Sequence, residues 1–92
     1  MKTHELKTWP VFYKSIIDGT KTFEVRENDR NFQVDDTLLL REYDPDAEQY
    51  TGAKTERVIT YILGDNPFFQ LNKMVISIDN GDIIFKDKLI GK

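Results

Sequence analysis

The pattern of apolar and polar positions is helical near the N-terminus and alternating afterwards. In the segment 9–19, Phe12 with Ile16, and Tyr13 with Ile16 and Ile17, have the three- or four-residue spacing of one buried helix face. Pro10 suits the first turn of a helix, and Gly19 suits the position just past its end. The pattern predicts a helix of about two and a half turns, which is stable only when it packs on another element.

Strict alternation follows in the segment 22–27 and predicts a strand. It places Phe23 and Val25 on one face and Glu24 and Arg26 on the other. We expect the apolar pair to point into the core and the charged pair to face outward.

The rest of the chain carries further strand patterns separated by turn residues. They occupy 37–43, 57–63 and 74–79, with Asp44-Pro45-Asp46 as a turn and Asn80-Gly81 as a hairpin signal before Ile83-Ile84-Phe85. One or two short helices among five or six strands predict an α+β fold, mainly β, in the form of a small, mainly antiparallel barrel or curled sheet.

Composition restricts the classes of site. The 92 residues suffice for one domain, to which we assign residues 1–92. There is no cysteine and one histidine, and the five glycines are far apart, so we predict no disulfide, metal site, phosphate-binding glycine loop or cofactor. No apolar run reaches the ~18 residues of a membrane span. We therefore expect a cytoplasmic monomer that does not bind a membrane.

The charge is distributed unevenly. The net charge of −3 does not suit a protein that coats nucleic acid by bulk electrostatics. Residues 1–30 nevertheless carry six basic and five acidic side chains, whereas the remainder of the chain is acidic on balance. An anion-binding site is therefore expected in the first third of the chain.

The segment 19–26 carries the strongest candidate chemistry. Lys21 lies at the turn between helix and strand, and Glu24 and Arg26 project from one face of the strand. Arginine offers a flat fork for phosphate or a base edge, lysine a point charge or a base, and glutamate an acceptor for amino groups. The alternative is an ordinary surface ion pair, worth less than about 1 kcal/mol.

Four further residues are weaker candidates for binding a ligand. His4 and Lys7 precede the helix and could reach the mouth of a cleft, or they could be ordinary exposed side chains. Trp9 could stack on a base or pin the start of the helix to the sheet. Arg30 could extend the cationic surface beyond the strand.

The spacing Gly19-x-Lys21-x-x-Glu24-x-Arg26 resembles the motif of the ASCH domain, a member of the PUA-like superfamily of small β-barrels. The flanking runs 4–10, 24–34 and 40–45 resemble a subfamily of short bacterial and phage ASCH-like proteins of unassigned function. The resemblance covers about residues 4–79. One departure is Asp35-Asp36, where relatives commonly have Gly-Asp.

This resemblance implies a barrel with a cleft lined by Lys21, Glu24 and Arg26 that binds RNA or a modified nucleotide. Some relatives on this fold are amidohydrolases that remove the acetyl group of N4-acetylcytidine with a lysine and a threonine three residues later. Here that position is Glu24, which favours a binding protein over an enzyme. A hydrolase with Lys21 as base and Glu24 as acid or orienting group stays open, as does a protein-interaction module with a vestigial cleft.

Overall fold

The computed structural model describes residues 1–27, 29–64 and 73–79. These residues form five strands and one helix. In chain order the elements are β1 (Thr3–Thr8), α1 (Pro10–Ile17), β2 (Phe23–Glu27), β3 (Thr37–Asp44), β4 (Gln49–Leu63) and β5 (Lys73–Ile78). The fold is thus α+β and mainly β, as the sequence pattern predicts. The hairpin signal at Asn80-Gly81 and the strand pattern after it lie outside the described residues.

All five strands belong to one curled sheet. Their order is β1-β3-β4-β5-β2, and every pairing is antiparallel except that of β1 with β3. Although β1 and β2 are the two edges of the sheet, its curl brings them close together. Nη2 of Arg26 on β2 donates to the Lys7 carbonyl on β1 at 2.9 Å. Arg30 Nη1 donates in the same way to the Glu5 carbonyl at 2.7 Å. We call the gap that these contacts bridge the seam.

Strand β1 is absent from the sequence prediction, which treated its residues as the approach to the helix. Its side chains alternate, with Thr3, Glu5 and Lys7 exposed and His4, Leu6 and Thr8 buried. Histidine and threonine on the inner face hide this alternation from a search for apolar residues.

The core lies inside the curl of the sheet. Its fully buried side chains come from α1 and the central strands and are Ile16, Leu38, Leu40, Ile59 and Ile76. Helix α1 buries Tyr13 and Ile16, whereas Phe12 stays half exposed. The predicted pair of Phe12 and Ile16 therefore does not form one buried stripe. Phe12 lies instead beside the seam.

The predicted orientation of β2 is wrong. Glu24 and Arg26 do share a face, but that face points inward, and Glu24 is only 4% exposed. Phe23 and Val25 lie on the outer face and are half exposed. In the register of β2 with β5, Glu24 is paired with the fully buried Ile76. The edge of the core is thus closed by charged side chains rather than apolar ones.

His4 lies in the core rather than at the mouth of a cleft. Its Nε2 is 2.8 Å from Oδ2 of Asp36, and its ring lies 4.7 Å from that of Phe32. Asp36 also accepts from the backbone N–H groups of Lys2 and Gln33. The hydrogen bond from His4, assisted by these two, lowers the pKa of Asp36 from 3.8 to about 2. This carboxylate holds the start of β1 against β3.

No helix within the described ranges is long and apolar enough to cross a membrane.

We expect Asp36→Asn to lower the melting temperature near pH 7 and to flatten its dependence on pH in acid. Because the folded-state pKa of Asp36 is depressed, its contribution to stability is complete above about pH 4 and is lost as the pH falls toward 2. Thermal unfolding from pH 2 to 7 measures this effect. The matched control is Asp35→Asn, an exposed neighbour whose φ of 79° asparagine tolerates. Equal acid profiles for Asp36→Asn and the wild type would contradict the assignment.

Candidate functional site

A concavity lies at the seam. It has a volume of about 460 Å³ and is formed by the end of β1, the start of α1, Lys21 and residues 23–26 of β2. We call it the seam cleft. Its lining residues are Lys7, Thr8, Trp9, Phe12, Lys21, Phe23, Glu24, Val25 and Arg26. A volume of this size is typical of a small-molecule site.

The carboxylate of Glu24 organises the charged part of the cleft. Its Oε2 accepts from Lys21 Nζ at 2.8 Å, and its Oε1 accepts from Nε and Nη2 of Arg26 at 3.1 and 2.8 Å. The carboxylate is almost completely buried, whereas the two cations are partly exposed. Both oxygens are therefore occupied, and the three residues together keep one net positive charge. Glu24 therefore fixes the two cations in position.

Lys21 is held as a hydrogen-bond donor. Besides Glu24, its Nζ donates to the Phe23 carbonyl at 2.6 Å. It lies 4.8 Å from the centre of the Phe23 ring and 5.5 Å from that of Phe12, within range of a cation–π interaction. In both contacts Nζ is the donor. This geometry suits a residue that binds an anion.

Aromatic side chains form the walls of the cleft. Trp9 is 53% exposed, Phe12 48% and Phe23 43%, all much more than is usual for such large apolar groups. They come from three elements: the residue before α1, the first turns of α1 and the start of β2. Their approach to one space requires the curl of the sheet. A planar apolar ligand would cover surface that is now in water.

The sequence candidates separate into two groups in the structure. Lys7 and Trp9 line the seam cleft together with Lys21, Glu24 and Arg26. The Lys7 ammonium lies over the ring of Tyr43, 4.3 Å from its centre. Tyr43 is not among the residues that line the cleft.

His4 and Arg30 lie elsewhere. His4 is part of the core, and Arg30 lines a smaller neighbouring pocket of about 280 Å³. The two concavities share Val25 and Arg26. Arg30 therefore lies along the seam but outside the seam cleft, beside Glu27 and Asp29.

Thr8 and Phe12 are cleft residues that sequence reasoning did not single out. Phe12 was assigned to the core because its spacing from Ile16 is helical. Thr8 is 2% exposed, and its hydroxyl has no hydrogen-bond partner among the described residues. The alternation of β1 could have located Thr8 on the inner face, but no sequence signal indicates an unpaired hydroxyl.

The described residues contain no group of three or more His, Asp or Glu side chains placed to hold a metal ion.

Comparison with known proteins gives one family and one curated relative. The family model described as "Domain of unknown function (DUF3850)" matches residues 3–78. A protein of Escherichia phage P2, described as "Uncharacterized 12.9 kDa protein in GpA 3′region", is 37% identical over 59 residues. The match covers 64% of this chain and 52% of the phage protein, so it spans about half of that relative's length. Neither description assigns a ligand or a reaction.

We expect Glu24→Gln to lower the free energy of unfolding by roughly 2–4 kcal/mol. The amide keeps the shape of the side chain but loses two charge-assisted contacts and leaves Lys21 and Arg26 close together without a counter-charge. Urea denaturation measures the change. The matched control is Glu56→Gln, an exposed position on β4, which should change the value by less than about 0.5 kcal/mol. Equal losses in the two variants would show that the buried carboxylate does not organise the seam.

Proposed function

Because this chain belongs to the DUF3850 family, whose description names no activity, we propose its function from the geometry of the seam cleft: the protein binds RNA or a nucleotide there. The observation that carries this proposal is the combination of three half-exposed aromatic walls with a pair of cations fixed by a buried carboxylate. Aromatic side chains stack on the faces of bases, and lysine and arginine bind phosphates or base edges.

The cations have donor capacity to spare. Lys21 has three N–H groups and two acceptors, and Nη1 of Arg26 has no acceptor within the described ranges. Glu24 prevents both side chains from folding away from the cleft, so little conformational entropy would be lost when a ligand binds. A fixed pair of donors beneath aromatic walls is well suited to a ligand that is both planar and anionic.

We propose in addition that the protein is related to the ASCH domain and the PUA-like superfamily. The motif that resembles the ASCH domain supplies Lys21, Glu24 and Arg26, and these are the residues of the charged network. The curled sheet with a cleft along its seam is compatible with a barrel of the PUA-like superfamily. The function expected from that resemblance and the one supported by the cleft chemistry are the same.

The donor role of Lys21 weighs against the hydrolase alternative. A general base must accept a proton, whereas the Lys21 ammonium donates to Glu24 and to a backbone carbonyl. The hydrolase and the interaction module are both outcomes of the following test.

We expect Lys21→Ala to weaken binding of cytidine 5′-monophosphate and of a short single-stranded RNA by at least about tenfold, since a charge-assisted contact is lost. Lys21→Arg should retain most of the affinity, because the cation is kept. Isothermal titration calorimetry measures both. Lys14→Ala removes an exposed lysine of α1 outside the cleft and is the matched control, with affinity unchanged.

Three results would contradict the proposal. The first is that neither the mononucleotide nor the RNA binds to the wild type, which would leave the interaction module. The second is equal binding by Lys21→Ala and the wild type. The third is release of acetate from N4-acetylcytidine by the wild type but not by Lys21→Arg, which would make the protein a hydrolase.

A further inference from the structure

We propose that the seam cleft contains a subsite for the phosphate monoester of a nucleotide, at the start of α1, and that Thr8 is its specificity-determining residue. This inference rests on the proposed function and deepens it. The cleft then binds one nucleotide that ends in a phosphate, with the base against the aromatic walls. Such a phosphate can belong to a free mononucleotide or to the end of an RNA strand.

The first observation is the hydroxyl of Thr8. This side chain is 2% exposed and lines the cleft, and its Oγ1 has no partner within the described ranges. An unsatisfied buried hydroxyl costs stability that a valine of the same shape would not. A phosphate oxygen would satisfy this hydroxyl.

The second observation is the N-terminus of α1, which begins two residues after Thr8. The residue at the N-cap is Trp9, whose side chain makes no capping hydrogen bond, and the first turn contains no acidic residue. The partial positive charge at this end of the helix therefore has no counter-charge from its own turn. Trp9 and Phe12, which belong to this end, line the same cleft as Thr8.

The third observation is the charge of the cleft. Lys21 and Arg26 against Glu24 leave one formal positive charge fixed in the cleft, and Lys7, whose ammonium lies over Tyr43, is a second cation at its border. A phosphate monoester carries about −1.5 to −2 at pH 7, whereas a phosphodiester inside a strand carries one negative charge. The fixed excess alone equals the charge of a diester, and together with Lys7 the cleft matches the monoester better.

The neighbouring pocket sets the limit of the site. Its charged residues are Arg26, Glu27, Asp29 and Arg30, whose formal charges cancel. An RNA strand bound along the seam would meet no further excess of positive charge in this pocket for its next phosphate. This favours one nucleotide over a continuous strand.

The test uses the full chain and five ligands in calorimetry: cytidine 5′-monophosphate, cytidine, inorganic phosphate, and hexacytidylate with and without a 5′-phosphate. We expect the monophosphate to bind at least about tenfold more tightly than cytidine. The 5′-phosphorylated hexamer should bind like the mononucleotide, and the hexamer without that phosphate should bind like cytidine. Inorganic phosphate alone should bind weakly, because it makes no contact with the aromatic walls.

The variant Thr8→Val separates a binding role from a structural one. It should weaken binding of the monophosphate about tenfold and binding of cytidine by less than about twofold. It should also raise the melting temperature of the protein by roughly 4–8 °C. The matched control is Thr60→Val, an exposed threonine of β4, which should leave both affinities unchanged.

The outcomes distinguish this inference from the proposed function. Binding of cytidine as tight as that of its monophosphate, or a Thr8→Val variant that binds both equally to the wild type, would overturn the phosphate subsite and leave nucleotide binding intact. Affinity that rises with strand length, independent of the terminal phosphate, would show a strand-binding groove instead. If no ligand binds to the wild type, both proposals fall.

Discussion

The buried carboxylate of Glu24 is the interaction on which the seam depends. The sheet curls until its two edge strands face each other, but they do not pair, so the core would be open to water along this line. Charged side chains close it: Lys21 and Arg26 bind Glu24 from the two sides, and Arg26 continues to the Lys7 carbonyl on β1. An ion network that is only partly exposed costs desolvation, and this cost is offset because each charge has a partner.

The same arrangement protects the two sheet edges. An edge strand presents unpaired backbone groups that can pair with another chain, and inward-pointing charges on such a strand oppose that pairing. Glu24 and Arg26 are such charges on β2, while Arg26 and Arg30 occupy carbonyls of β1. At the start of β1, the Asp36 carboxylate accepts hydrogen bonds from the His4 ring and from the backbone N–H of Lys2. These two bonds hold the beginning of the strand in place. The seam is therefore bordered by two positioned strands.

The cleft retains features that folding alone would remove. Three large aromatic side chains remain half exposed, and the buried Thr8 hydroxyl has no partner in the part of the chain that the structure describes. Smaller side chains at the aromatic positions would expose less apolar surface, and an apolar residue in place of Thr8 would leave no hydroxyl unsatisfied. Marginal stability of this kind is typical of binding sites, where the protein leaves contacts unmade until a ligand supplies them. Their concentration along one seam, beside a fixed pair of cations, is what makes this surface the functional candidate.

The sequence by itself determined the strands β2 to β5, the helix, and the sharing of one strand face by Glu24 and Arg26, because these follow from local periodicity and turn chemistry. It did not determine which face of β2 points inward, since the two-residue alternation is the same whichever face is buried. The pairing of β2 with β5 sets which side chains point inward. It also missed β1, because His4 and Thr8 are polar. His4 can be buried only because Asp36, 32 residues away, satisfies it. Tertiary structure alone brought Thr8, Trp9 and Phe12 together with the cations, since the curl of the whole sheet sets the width of the seam.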